Sequence, residues 1–196
     1  MSTESAAEEG LDRDEPVVLV VDDEANVAEA YGLWLPDDYE VRTATNGEQA
    51  LDAADEDVDV VLLDRHMPDL SGDDVLERLR ERGLDCRVAM VTAVDPDFDI
   101  AELPFDAYLT KPVDRDEIQE TVETLLELSS FGEQSRQFFA VSQKIATLES
   151  EKRASELEDN ETYQQLVARR EELDADLEDA VGGMDDDDLE AAFRDL

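Results

Sequence analysis

The first ordered apolar run is Val17–Val21, five consecutive residues with no polar alternation. A run of this kind predicts a strand buried on both faces. Val58–Leu63 is another apolar run, broken only by Asp59, and Arg87–Val91 reads as a strand as well. Tyr39–Ala44 is a weaker strand and Ala107–Leu109 a short one. Helical spacing fills the gaps. Asn26–Leu35 is helical up to Pro36, and Asn46-Gly47 turns the chain into a helix over Glu48–Ala54. Met67–Gly72 is a loop, and Asp73–Arg82 is a helix with Val75, Leu76 and Leu79 on one face. Asp97–Leu103 is a short helix and Asp114–Leu128 a longer one. Strands alternating with helices predict an α/β domain, with a doubly wound parallel sheet of five strands covered on both faces.

The pattern changes after Leu128. Phe138, Val141, Ile145 and Leu148 follow 3-4-3 spacing, a helical stripe. Tyr163, Leu166, Val167, Leu173, Leu177 and Val181 form a second stripe, closed by Gly182-Gly183. Two amphipathic helices with a polar break between them predict an α-helical hairpin or coiled coil. The stripe is a packing seam, and the pattern leaves open whether it closes within one chain or in a homodimer. The expected division is an acidic arm without fixed structure over 1–15, the α/β domain over 16–128, the helical segment over 129–181 and an acidic tail over 182–196.

Charge alters the picture of partners. Sixteen Lys and Arg face 56 Asp and Glu, a net charge of −40 over 196 residues. A chain of this charge has no surplus of cations to neutralise phosphates, which argues against unaided binding to nucleic acid or an anionic membrane. The periodic apolar runs argue against disorder as its cause. An acidic surface poor in lysine resembles those of halophilic archaeal proteins. In molar salt the screening length falls to roughly 3 Å, which removes most self-repulsion. One Cys and one His exclude a disulfide framework and His-rich or multi-cysteine metal sites. No run approaches the ~20 apolar residues of a membrane span. A cytoplasmic protein is expected.

In parallel sheets of this kind the functional crevice lies beyond the carboxyl ends of the strands. The residues standing there are Asp22 and Asp23, Asp64, Thr92 and Lys111. Carboxylates gathered in one pocket repel each other by roughly 3 kcal/mol per pair at ~5 Å, so such a cluster calls for a hard dication. Magnesium suits an all-oxygen donor set with retained waters.

The ordered motifs are Asp22-Asp23-Glu24, Leu62-Leu63-Asp64-Arg65-His66-Met67-Pro68 with Gly72 beyond, Thr92-Ala93 and Lys111-Pro112. Together they resemble the receiver domain of two-component response regulators, over about Val17–Leu128. The resemblance implies a flavodoxin-like fold and phosphorylation of Asp64 by a sensor histidine kinase. It implies a Mg2+ site at Asp22, Asp23, Asp64 and the backbone carbonyl of His66. Thr92, Tyr108 and Lys111 would be the catalytic and switch residues, Tyr108 rotating inward on activation. The short stretch between Thr92 and Tyr108 departs from the family and predicts a reduced fourth helix. The tail, through Lys144–Lys152 and Tyr163–Leu173, resembles the HalX output segment of haloarchaeal regulators, for which a role in transcription is supposed.

The expected function is therefore a phosphorylation-controlled switch, not an enzyme. The helical segment would be the output, acting through protein contacts or DNA. Arg153, Arg169 and Arg170 could touch DNA, but pairing with the segment's own acids is the expected use. One alternative is a magnesium-dependent phosphohydrolase with an aspartyl nucleophile, which would want an acid two residues after Asp64, where His66 stands. Another is an adaptor that responds to phosphorylation without binding DNA. Trp34 reads as a core residue, and Cys86 as a small residue leading into a strand, with no reactive role.

Overall fold

The computed structural model describes residues 15–129 and 131–182. The acidic arm expected before Glu15, and the tail after Gly182 with its run Asp185–Asp188, lie outside the described residues. The α/β part contains strands β1 (Val17–Val21), β2 (Glu40–Ala44), β3 (Val60–Leu63), β4 (Arg87–Thr92) and β5 (Ala107–Thr110). Its helices are α1 (Ala25–Trp34), α2 (Gly47–Ala53), α3 (Gly72–Glu81) and α4 (Arg115–Ser129). The strands form one parallel sheet in the order β2-β1-β3-β4-β5.

Every residue of β1, β3 and β4 is buried, as the unbroken apolar text of β1 and β3 requires, and in β4 the terminal Arg87 and Thr92 are buried with the apolar residues between them. The pleat sends alternate residues to opposite faces. Val18, Val20, Val60, Leu62, Ala89 and Val91 pack with Ala28, Ile118, Val122 and Leu125 of α1 and α4. Leu19, Val21, Val61, Leu63, Val88 and Met90 pack with α2 and α3 on the other face. Edge strand β2 is only partly buried, and its Arg42 bonds Glu40 and Asp55 in the open. Cys86, just ahead of β4, is buried and free. Trp34 is only half-buried, at the rim of the α1 face and 5.2 Å from the Tyr31 ring, so it is not the enclosed core residue the sequence suggests.

The expected helix over Asp97–Leu103 is reduced to a single 3-10 turn, Phe98–Ala101. The remaining elements are α5 (Glu133–Glu151), the short α6 (Ala154–Glu158) and α7 (Glu161–Gly182). The break between the two expected tail helices is thus itself partly helical. Ile145 and Leu148 of α5, Leu157 of α6 and Leu166 of α7 join the same buried cluster as Leu63, Met90 and Tyr108. The stripe therefore closes within one chain. The hairpin supplies the apolar cover on this sheet face that four residues of 3-10 turn cannot.

Candidate functional site

The carboxyl edge of the sheet is tied together by the main chain. The Asp22 amide donates to Ala44 O (3.1 Å), the Asp64 amide to Val21 O (2.9 Å) and the Lys111 amide to Thr92 O (2.8 Å). These bonds continue the ladder by one step past β1, β3 and β5, and they bring Asp22, Asp64 and Lys111 to one spot. Lys111 Nζ donates to Asp22 Oδ2 at 2.6 Å and to Asp64 Oδ2 at 2.9 Å. Asp22 is 1% exposed and Asp64 6%. Burial opposes the charge on Lys111, but the two carboxylate bonds outweigh it and raise its pKa above the ordinary lysine range. Burial likewise raises the pKa of Asp22, with the Lys111 bond working against it.

Asp23 is exposed at the rim. Carboxylate oxygens of Asp22, Asp23 and Asp64 lie within 4.8 Å of one another. Three carboxylates against one ammonium leave negative charge to be matched, and the donors are all oxygen. That set fits a hard divalent cation. Asp22 Oδ1 also accepts the Glu24 amide at 3.0 Å, and Asp64 Oδ1 accepts the His66 amide at 3.2 Å. The His66 side chain is exposed.

The loop after Asp64 is held from the far side. Gly72 opens α3, whose cap is reciprocal: Ser71 Oγ accepts the Asp74 amide while Asp74 Oδ2 accepts from Ser71. The Gly72 amide donates to Arg65 O at 2.9 Å. A Cβ on Gly72 would stand 2.2 Å from Asp64 O and 2.8 Å from Arg65 Cα, so this approach admits only glycine.

Thr92 is fully buried at the end of β4, and its Oγ1 accepts the Val94 amide at 3.3 Å. Tyr108 is already buried, with its hydroxyl donating to Val94 O at 2.9 Å. Burial raises the Tyr108 pKa, and the nearby Arg65 opposes the shift.

Two residues here escape the sequence reading. Arg65 is buried, and its guanidinium bonds both Asp73 and Asp99. Lys144 is buried on α5, where Nζ donates to Ala101 O at 3.0 Å and lies 5.2 Å from the Phe105 ring centre. Its pKa is pushed down to about 8 by burial, which nearby Asp106 only partly offsets. A signal for Lys144 exists in the spacing: it lies three residues after Val141 and four before Leu148, inside the buried stripe.

Comparisons with known proteins agree with this geometry. Residues 18–123 match the response regulator receiver domain, and residues 127–193 match the HalX domain. A putative transcriptional regulator of the haloarchaeon Haloferax volcanii is 50% identical over 184 residues, 92% of this chain and 31% of that protein. The alkaline phosphatase synthesis transcriptional regulatory protein PhoP of Bacillus subtilis is 37% identical over 120 residues, 59% of this chain and 50% of that protein. The chain thus spans about a third to a half of the length of these relatives. The receiver domain of the Francisella response regulator 1452 superposes with a TM-score of 0.53 at 28% identity, covering 59% of this chain and all of that one. Receiver domains interact with sensor histidine kinases and generally use Mg2+. Among the described residues no helix is long and apolar enough to cross a membrane. From its strand order, its acid pocket and these matches, the chain belongs to the response regulator receiver family, with a HalX domain following the receiver.

Proposed function

We propose that Asp64 is the phosphoacceptor of a two-component relay, and that its phosphorylation resets the helical hairpin behind the receiver. The observation that supports this most is the meeting of Asp22, Asp64 and Lys111 at the sheet edge, with Asp23 beside them. An Asp64 carboxylate oxygen attacks the phosphorus of a kinase phosphohistidine. The new P–O bond forms as the P–N bond breaks, and the imidazole leaves with the electron pair and takes up a proton. The product is an acyl phosphate on Asp64. Lys111, poised on an Asp64 oxygen, neutralises charge on the transferred phosphoryl oxygens. The Thr92 hydroxyl takes another of those oxygens, which draws on Val94 and so on Tyr108. Magnesium held by Asp22, Asp23, Asp64 and the His66 carbonyl would supply the remaining positive charge.

The chain acts as a switch and not as a turnover enzyme. Its relatives are named transcriptional regulators, and a transcriptional output fits their names. That output runs through protein contacts. Of the six basic residues described in the hairpin, five already have partners: Arg136 on Asp85, Lys144 on Ala101 O, Lys152 on Asp97, Arg153 on Glu156 and Arg169 on Glu172. Few cations remain for a phosphate backbone. The cytoplasm is the compartment in which such a relay works.

Treatment with a small phosphodonor and magnesium in high salt, read by intact mass, tests this reading. The expected result is one added phosphate that is absent in Asp64→Asn. No gain in the unsubstituted protein overturns it. A gel shift of genomic fragments by the phosphorylated protein would overturn the protein-contact output.

A further inference from the structure

The 3-10 turn Phe98–Ala101 is gripped from two sides. From the hairpin, Lys144 Nζ donates to Ala101 O at 3.0 Å, and Lys152 pairs with Asp97 at 3.1 Å while its Nζ lies 5.7 Å from the Phe98 ring centre. From the sheet edge, Arg65 reaches it. The residue directly after Asp64 sends its Nε to Asp73 Oδ1 at 3.0 Å and its Nη2 to Asp73 Oδ2 at 3.0 Å, and Nη2 also bonds Asp99 in the turn. The same guanidinium stands against the Tyr108 hydroxyl, whose other partner is Val94 O. Arg65 is 8% exposed, and its main chain is pinned by the Gly72 amide. Its planar fork holds α3 and the turn at once, beside the Tyr108 hydroxyl, which a lysine cannot do.

We propose that Arg65 is a positioning residue that couples the state of Asp64 to the output hairpin by holding the turn on which that hairpin is seated. This rests on Asp64 being the phosphoacceptor. The physical content is a shared element. Any movement of Val94 and Tyr108 that follows phosphorylation changes what the Arg65 guanidinium faces. Arg65 holds Asp99, and Asp99 lies in the turn clamped by Lys144 and Lys152. Coupling between two sites needs an element that both of them bias, and the turn is that element. The aspartate pair on either side of Arg65 differs in exposure. Asp73 lies inside the α3 start and keeps the arginine in place, whereas Asp99 is the more exposed and the more easily released.

The test compares hydrogen exchange of residues 97–101 and of α5 and α7, with and without phosphodonor and magnesium, in the full chain. Intact mass is read on the same samples. In the unsubstituted protein, phosphorylation is expected to change protection of these segments by at least about fivefold. Arg65→Gln is expected to take up phosphate with that change reduced to less than about twofold, and Arg65→Lys is expected to restore only part of it. Asp99→Asn cuts the same link at its exposed end and is expected to give the same loss, which covers the case in which Arg65→Gln does not fold. Phosphate uptake with an undiminished exchange change in Arg65→Gln or Asp99→Asn overturns the proposal. So does phosphate uptake by the unsubstituted protein with no exchange change in the hairpin. Absence of phosphate uptake in the unsubstituted protein overturns the phosphoacceptor reading and this inference with it.

Discussion

Two regions of the molecule are each built around a lysine withdrawn from water, Lys144 buried and Lys111 partly so, and they treat it in opposite ways. At the sheet edge, Lys111 bonds two carboxylates, and its pKa is raised. In the seam between receiver and hairpin, Lys144 has a carbonyl and an aromatic face instead, and its pKa falls to about 8. Both side chains lose water. Only the first gains full opposite charges in exchange, and that decides the sign. The pocket is thus a place where charge is held for chemistry. The seam is a place where charge is tolerated because packing around it is good. Ile145, next to Lys144, and Leu148, one turn further on, are almost completely enclosed.

The comparison can be broken most forcefully at the seam. Leu148→Ala should cost about 2–5 kcal/mol, as for other fully buried leucines. Because Leu148 shares a cluster with Leu63 and Met90, receiver and hairpin should lose stability together in one urea transition. A separate early transition of the hairpin alone would show that the seam is not part of the core. In the pocket, Lys111→Met should slow phosphate uptake by about 10²–10³-fold, the usual loss on removing one charge-stabilising donor. Uptake from a phosphodonor, timed by intact mass, checks this.

The seam lysine has a pH signature of its own. Its folded pKa of about 8 lies below the ordinary 10.5. Between those values the unfolded chain binds the proton and the folded chain does not, so stability rises with pH across that window. Below pH 8 both states are protonated and the burial penalty is constant. The full gain is about 3 kcal/mol, of which about 2 kcal/mol falls between pH 8 and pH 10, and that difference between urea midpoints at the two pH values should vanish in Lys144→Met. The smallest expected effect is Gly72→Ala. The added methyl meets the Asp64 carbonyl, and relieving that overlap should cost about 1–3 kcal/mol and weaken phosphate uptake.

Most of the α/β part is legible in the amino-acid sequence. Val17–Val21 and Val60–Leu63 are buried on both faces because nothing polar interrupts them, and the polar residue after each strand falls at the sheet edge because the ladder runs on by one step. The two helical stripes of the tail are legible for the same periodic reason. Arg65 is not, because a cation after an acid reads as surface charge until Asp73 and Asp99, 8 and 34 residues away, are seen to enclose it. Trp34 misleads in the other direction, since an aromatic near the end of α1 can lie at the rim of a sheet face as well as beneath it.

Local pattern therefore determined the strands and most of the helices, because each is set by periods of two or 3.6 along the chain, and with them which residues stand at the carboxyl edge. Tertiary structure alone decided which surface the hairpin covers, that Lys111 meets two carboxylates while Lys144 meets a carbonyl and a ring, and which arginine stands between the pocket and the turn. Those outcomes depend on groups far apart in sequence meeting in a medium where water no longer screens them.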